Sequence, residues 1–227
     1  MAAPAAATTR RGVARREQIL VAAAELMAER GFHAVGVSDI GAVVGVTGAA
    51  LYRHFESKPA LLVAIFDRAV DGLLGDAERL IAEGVTSSQS PTIELLGDLV
   101  AAHVAFAVRD RSVLAVYARE HHHMPIEDLR RLRGNQRRYV DMWIGVLIGV
   151  VPTIGHRQAL ARVEATFGLL NSVPNVSPKL TDEELRVEFC TIALAALTAP
   201  AARSSRAEPL IRHALPSKIR VTTEVRT

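Results

Sequence analysis

The chain has 227 residues, of which 49% are apolar and 22% charged, with a net charge of +3; this mixture specifies a globular protein of one large domain or two small ones and excludes a mainly disordered or collagen-like chain. Its longest unbroken apolar run, Met142 to Val151, stops at Pro152, far short of the ~20 residues a membrane-crossing helix needs, and the N-terminus lacks the apolar stretch of a secretory signal. A cytoplasmic protein that avoids membranes is expected, and Cys190, the single cysteine, has no thiol partner within the chain.

Apolar residues recur at three- and four-residue steps with almost no two-residue alternation, so the expected fold class is all-α. Residues 1–12 read as a basic disordered arm: Arg10, Arg11, Arg15 and Arg16 stand in an opening segment without acids, a footprint that suits nucleic acid and equally suits a solvated tail. A helix from about Val13 to Arg30 places Ile19, Leu20, Ala23, Leu26 and Met27 on one face and stops at Gly31. After a turn over Phe32 to Val37, Ser38 reads as the N-cap of a two-turn helix carrying Ile40, Val43 and Val44 and ended by Gly45. Thr47 opens a further helix from Gly48 through His54, and Ser57 caps the next, whose Pro59 suits a first turn. That helix is expected to reach about Glu83, before a loop from Gly84 to Pro91 rich in turn formers. Helices follow from about Thr92 to Arg109, Ser112 to His121, Pro125 to Val151, Arg157 to Asn171 and Asp182 to Ala199, and residues 200–227 read as a polar tail.

Two short helices joined by a tight turn at Gly45, with a longer helix on each side, make a helix-turn-helix pattern. Reading DNA requires a second helix that docks by one face and offers small or polar groups to the major groove by the other. Leu51 and Phe55, four residues apart, are the inner anchors. Thr47, Gly48 and Ala49 leave the start of the helix slim, and Tyr52, Arg53, His54 and Lys58 surround it with groups that bond phosphates or base edges.

The segment ALYRHFESKPALL from Ala50 to Leu62, with Gly31 and Phe32 and the SDIGAVVG string of Ser38 to Gly45 before it, resembles the TetR-type transcriptional regulators over about Arg15 to Phe66. The resemblance implies an N-terminal three-helix helix-turn-helix DNA-binding domain over about 13–58, a linking helix to about 83, and a C-terminal helical ligand-binding and dimerisation domain over 67–199. It further implies phosphate clamps at Tyr52 and Lys58, groove-reading positions at Thr47, Gly48, Ala49, Arg53 and His54, and a backbone contact at Ser38. Arg15, in the basic segment, joins these candidate DNA contacts. Arg53 reads either a guanine edge or a phosphate, and His54 is either a phosphate partner or a packing residue. Gly41 stands where alanine is more usual in the family and is expected to loosen its helix by ~1 kcal/mol.

In layout, too, the remainder resembles these regulators, which implies a homodimer on a pseudo-palindromic operator, with repression relieved by a small effector. The last two body helices are the candidate interface, through Leu160, Val163, Phe167, Leu170, Phe189, Ile192, Leu194 and Leu197, with Ala161, Ala165, Ala193, Ala195 and Ala196 permitting close approach. Phe106, Tyr117, Met124, Tyr139, Met142, Trp143 and Phe167 are the bulky candidates for the wall of an apolar ligand pocket. The arginines at 130, 131, 133, 137 and 138 suit either the anionic head of an acyl-coenzyme A or fatty acid, or a solvated helix face. The YxREH string at Tyr117, LRR, YVxxW at Tyr139 and GLLNS at Gly168 are also similar to regulators of lipid and acyl-ester catabolism. His121, His122 and His123 are contiguous and on a helix would point about 100° apart, so carbonyl capping, not a metal site, is the expected role. With no nucleophile elbow, zinc-protease helix, phosphate loop or dinucleotide fingerprint in the sequence, neither catalysis nor a cofactor is expected.

Overall fold

The computed structural model describes residues 10–88, 90–176 and 179–200. Among these residues it contains nine α-helices and no strand. The expected arm and tail fall outside the described residues, except that Arg10, Arg11 and Gly12 already belong to α1 and Pro200 is the last residue described. No helix among the described residues is long and apolar enough to cross a membrane.

Helix α1 (Arg10–Arg30) buries Ile19, Leu20, Ala23, Ala24 and Met27 on one face. Helix α2 (Val37–Val44) is capped differently from the sequence reading: Gly36 is the N-cap and its N–H donates to the Asp39 carboxylate at 2.7 Å. Ser38 is therefore an exposed residue of the first turn rather than the cap. The physical reason is that a carboxylate three residues in satisfies the orphan donor and favours the positive end of the helix. Gly45 closes α2 at φ +69°, in the left-handed region that glycine tolerates. Helix α3 (Gly48–Tyr52) starts at Thr47, whose hydroxyl accepts from the Ala50 N–H at 3.2 Å. It ends two residues short of the sequence reading, with Arg53 and His54 in the following turn.

Helix α4 (Lys58–Ser88), capped by Ser57 through the Ala60 N–H, is 31 residues long, about 46 Å at the α-helical rise. It continues past Glu83 through the glycine expected to begin a loop. At Gly84 a Cβ would sit 3.1 Å from both Leu95 methyls, so glycine there permits close helix packing. Helices α5 (Ile93–Arg109) and α6 (Arg111–Glu120) follow, then a 3-10 turn (His121–His123), α7 (Ile126–Val150), α8 (His156–Leu170) and α9 (Asp182–Thr198). His121 Nδ1 lies 2.9 Å from the Tyr117 carbonyl, which is the capping role expected of it.

Helices α1 to α3 and the start of α4 form the first layer. The rest of α4 packs with α5 and α7, α5 packs on α9, and α8 lies against α7 and α9. Helix α6 turns back onto α1, where Arg119 donates to the Ala28 and Met27 carbonyls and Glu120 accepts the Phe32 N–H at 3.2 Å. One continuous apolar core runs from Ile19 to Leu197.

The α8–α9 candidates divide. Val163, Leu170, Phe189, Ala193 and Leu197 are buried in the chain's own core, and Leu160, Phe167 and Leu194 pack half-buried against it. Ala161, Ala165, Ala195, Ala196 and Ile192 face outward with Val187, the last two 47% and 56% exposed.

Gly41 also differs from expectation. It is buried where the end of α2 folds back on the turn to α3, and a Cβ would lie 2.6 Å from the Val46 carbonyl oxygen. Helix propensity alone would credit Gly41→Ala with about 1 kcal/mol of stabilisation. A backbone clash of this size is expected to reverse the sign, lowering stability by about 1–3 kcal/mol, as read from the urea midpoint of the full chain; a raised midpoint would show that the turn yields without strain.

Candidate nucleic-acid interface and interior cavity

The short helix α3 is held from beneath and open above. Leu51 and Phe55 are buried against the core that includes Ile40, while Thr47, Ala49, Tyr52, Arg53 and His54 are exposed and Gly48 is half-buried. Tyr52 leaves 55% of its surface in solvent, an expensive placement for an aromatic ring unless its phenol and face have work to do there. The Arg53 guanidinium has no hydrogen bond or ion pair among the described residues, and His54 is exposed with its ring tilted beside that of Phe55 at 6.4 Å between centroids. Ser38 lies exposed at the start of α2.

Two of the expected DNA contacts are engaged internally. Arg15 donates to the Val44 carbonyl at 2.7 Å, capping the end of α2. The Lys58 ammonium reaches the carbonyls of Phe32 at 2.7 Å, Val35 at 3.0 Å and His33 at 3.5 Å, and sits 4.5 Å above the Phe32 ring. An ammonium has three N–H donors, so a phosphate at Lys58 would have to displace one of these carbonyls.

Behind this layer a cavity of about 310 Å³ opens between α4, α5, α6, α7 and α8. Phe106, Tyr117, Tyr139 and Phe167 line it; the other sequence candidates do not. Met124 is buried elsewhere, Met142 is half-buried, and Trp143 is fully buried behind the wall, edge-on to Phe167.

Polar residues that sequence reasoning passed over also face the cavity: His103, Gln136 and Asn171. His103 Nδ1 lies 3.2 Å from the Tyr139 hydroxyl and its Nε2 3.4 Å from Asn171 Oδ1, while the Tyr117 hydroxyl donates to Gln136 at 3.2 Å. Burial drives the His103 pKa down to about 4, opposed by the Asn171 hydrogen bond, and burial raises that of the Tyr139 phenol. Both are therefore neutral near pH 7. A neutral imidazole then accepts from Tyr139 and donates to Asn171. Gln136 was legible in principle: it falls on the same inward stripe of α7 as Leu132, Tyr139 and Val140. His103 carried no such mark, because its partners lie 36 and 68 residues away.

Among the described residues no charged side chain lines the cavity. Charge begins in an adjoining cleft that shares Ala69, Leu73 and Phe106 with it and adds Arg68, Arg109, Asp110 and Glu17. There Arg68 bonds both Glu17 on α1 and Asp110 between α5 and α6. The arginines of α7 stay outside. All five are exposed, Arg130 pairing with Glu127, Arg131 with Asp67 and Asp128, and Arg138 with Glu78, which is the solvated-face alternative.

Comparison with known proteins matches residues 19–65 to the model of "Bacterial regulatory proteins, tetR family". The HTH-type transcriptional repressor KstR2 of Rhodococcus jostii is 28% identical over 208 residues, covering 88% of this chain and 99% of that protein. The HTH-type transcriptional regulator UidR of Escherichia coli is 32% identical over 138 residues, 54% of this chain and 67% of that one. The solved structure of the ketosteroid transcriptional regulator KstR2 of Mycobacterium tuberculosis superposes with a TM-score of 0.64 at 23% identity, over 80% of this chain and 93% of the other.

The depressed His103 pKa has a thermodynamic consequence. Between pH 6.5 and about 4 the unfolded chain takes up a proton that the folded cavity refuses, so stability falls as pH is lowered through that window, by about 3 kcal/mol at its acid end. His103→Gln, which cannot titrate, is expected to flatten this slope in urea unfolding measured at several pH values. An unchanged slope would place the proton uptake on other groups.

Proposed function

The chain belongs to the tetR family of bacterial regulatory proteins, and on that basis we propose that it is a repressor released from a pseudo-palindromic operator by a small hydrophobic effector. The observation that carries this reading is that one helix serves both ends. Lys58 at the start of α4 holds the turn before α2, and Phe66, Ala69, Val70 and Leu73, two to four turns further on, line the cavity. An effector shifts such an equilibrium only through its differential affinity for the two arrangements, and a ligand that displaces α4 by its cavity-lining face changes the hold of Lys58.

On the operator, the outward residues divide into positioning and reading groups. Tyr52 and Ser38 bond phosphate, Arg53 and His54 reach base edges, and Thr47, Gly48 and Ala49 let the backbone approach the groove. Arg15 and Lys58 maintain the geometry of the module. Two copies pair through the outward stripe of Ala161, Ala165, Val187, Ile192, Ala195 and Ala196, which lets helices approach closely, and two-fold symmetry matches two half-sites.

For the effector, the cavity favours an apolar body with a hydroxyl or carbonyl group to meet His103, Tyr139 and Asn171. This is compatible with the ketosteroid in the description of the Mycobacterium tuberculosis KstR2 structure. If the effector carries an anionic head, as an acyl-coenzyme A does, the cations nearest the cavity are Arg68 and Arg109 of the adjoining cleft rather than the arginines of α7.

Fluorescence anisotropy on the DNA flanking the gene, at two salt concentrations and with or without long-chain acyl-coenzyme A, tests the reading. Sequence-specific binding released by the ester supports repressor and effector together. Specific binding that the ester leaves unmoved removes the acyl ester, and absence of specific binding to any sequence in a genome-wide selection removes the repressor. Within this assay Tyr52→Phe is expected to weaken all sequences about equally, by several fold, whereas Arg53→Ala costs about 1–3 kcal/mol and relaxes preference at one base position if the guanidinium reads a guanine. Equal loss on all sequences for Arg53→Ala would assign it to a phosphate.

A further inference from the structure

We propose that Glu120, His122 and His123 form a binding site for a divalent transition-metal ion of the zinc class, at the joint between the DNA-reading layer and the helical bundle. One donor atom from each residue lies within 4.8 Å of the others. The helix geometry that kept contiguous histidines apart does not apply here, because α6 gives way to a 3-10 turn at His121. Side chains three residues apart eclipse in a 3-10 turn, and this places His123 Nε2 3.3 Å from Glu120 Oε2. A tetrahedral ion with ligand bonds of about 2.0–2.1 Å has ligand-to-ligand edges of about 3.3 Å, so this pair already stands at coordination spacing. The His122 ring lies 4.0 Å from that of His123, centroid to centroid, and closes the set by a small rotation.

The chemistry of the donors selects the ion. Two imidazoles and a carboxylate suit zinc, cobalt or nickel rather than calcium or magnesium, which prefer all-oxygen shells. Three protein ligands leave a fourth position to water. The site is also sheltered: the Glu120 and His123 side chains are only 13% and 21% exposed. Its groups are oriented from outside, as ligands usually are. The other Glu120 oxygen accepts the Phe32 N–H at 3.2 Å, and the His123 ring stacks on the Phe32 ring at 4.7 Å. Both contacts reach the turn that Lys58 holds from the other side. An ion bound here therefore fixes the carboxylate and the ring that seat the DNA-reading layer on the bundle, and couples metal availability to that joint.

The test uses the full chain without a histidine tag, stripped with a chelator and titrated with Co²⁺ while the visible d–d absorption is followed, then with Zn²⁺ in competition. One Co²⁺ per chain, displaced by Zn²⁺, is expected. His122 is exposed, so His122→Ala is expected to leave the metal-free unfolding temperature unchanged and to weaken binding at least about tenfold. Glu120→Gln, which keeps an acceptor for the Phe32 N–H but removes the carboxylate ligand, is expected to weaken binding likewise. No saturable binding, or binding that survives both substitutions undiminished, overturns the site.

Discussion

The hold of Lys58 on the turn between α1 and α2 is the contact on which the rest of the arrangement rests. Three carbonyls converge on one ammonium, with an aromatic face beneath it, so a half-buried charge is fully compensated. The same turn is gripped from the opposite side by Glu120 and His123. Phe32 is thus clasped between the first residue of α4 and the last turn of α6. The short helices α2 and α3 have little propensity or length of their own; they take their positions from this clasp, from Arg15 at the end of α2 and from the buried pair Leu51 and Phe55.

Helix α4 carries that constraint into the second layer. A bundle that only needed stability would fill its centre with close-packed side chains. Here the interior wall holds an imidazole, two phenols and two amides, paired as His103 with Tyr139 and Asn171 and as Tyr117 with Gln136. Buried polar groups are tolerated when paired, and the pairing also keeps charge out of the cavity, leaving it to the adjoining cleft. There Arg68 joins Glu17 of α1 to Asp110 of the bundle. The two layers are consequently joined beside the cavity by Arg68 as well as around the Phe32 turn by Lys58, Glu120 and Arg119, and α4 passes through both regions.

How much of this was legible in the sequence depended on how local its cause was. The caps at Thr47 and Ser57 act over three residues and were read correctly. The all-α fold class followed from helical periodicity, and the position of α3 from the Thr47 cap and the ALYRHFESK string. What escaped was set by approach in space. Gly41 looked like a weak point in α2 and is instead a close contact with the Val46 carbonyl; Gly84 looked like a loop and is where α4 meets Leu95. Ser38 lost its cap role to a carboxylate one residue later. The internal carbonyl partners of Arg15 and Lys58 are likewise out of reach of the sequence, because which oxygen a long side chain meets is decided by loops that periodicity does not describe. His103 was invisible for the same reason, its partners coming from α7 and the end of α8.

The separation of the two faces of α3 bears on how such a protein changes over generations. Leu51 and Phe55 are bound into the core and Gly41 into the turn beneath, so substitutions there are filtered by folding. Ala49, Arg53 and His54 are exposed, and Arg53 and His54 join that framework through their backbone N–H groups and through the His54 ring beside Phe55. Under the proposed function, exposed side chains at those three positions are filtered less by folding than Leu51 and Phe55 are, and they are the ones that would meet the DNA. On that reading, a duplicated copy can change its target through exposed side chains while Leu51, Phe55 and Gly41 hold the fold, and a lineage built this way would diversify in what it recognises faster than in how it folds.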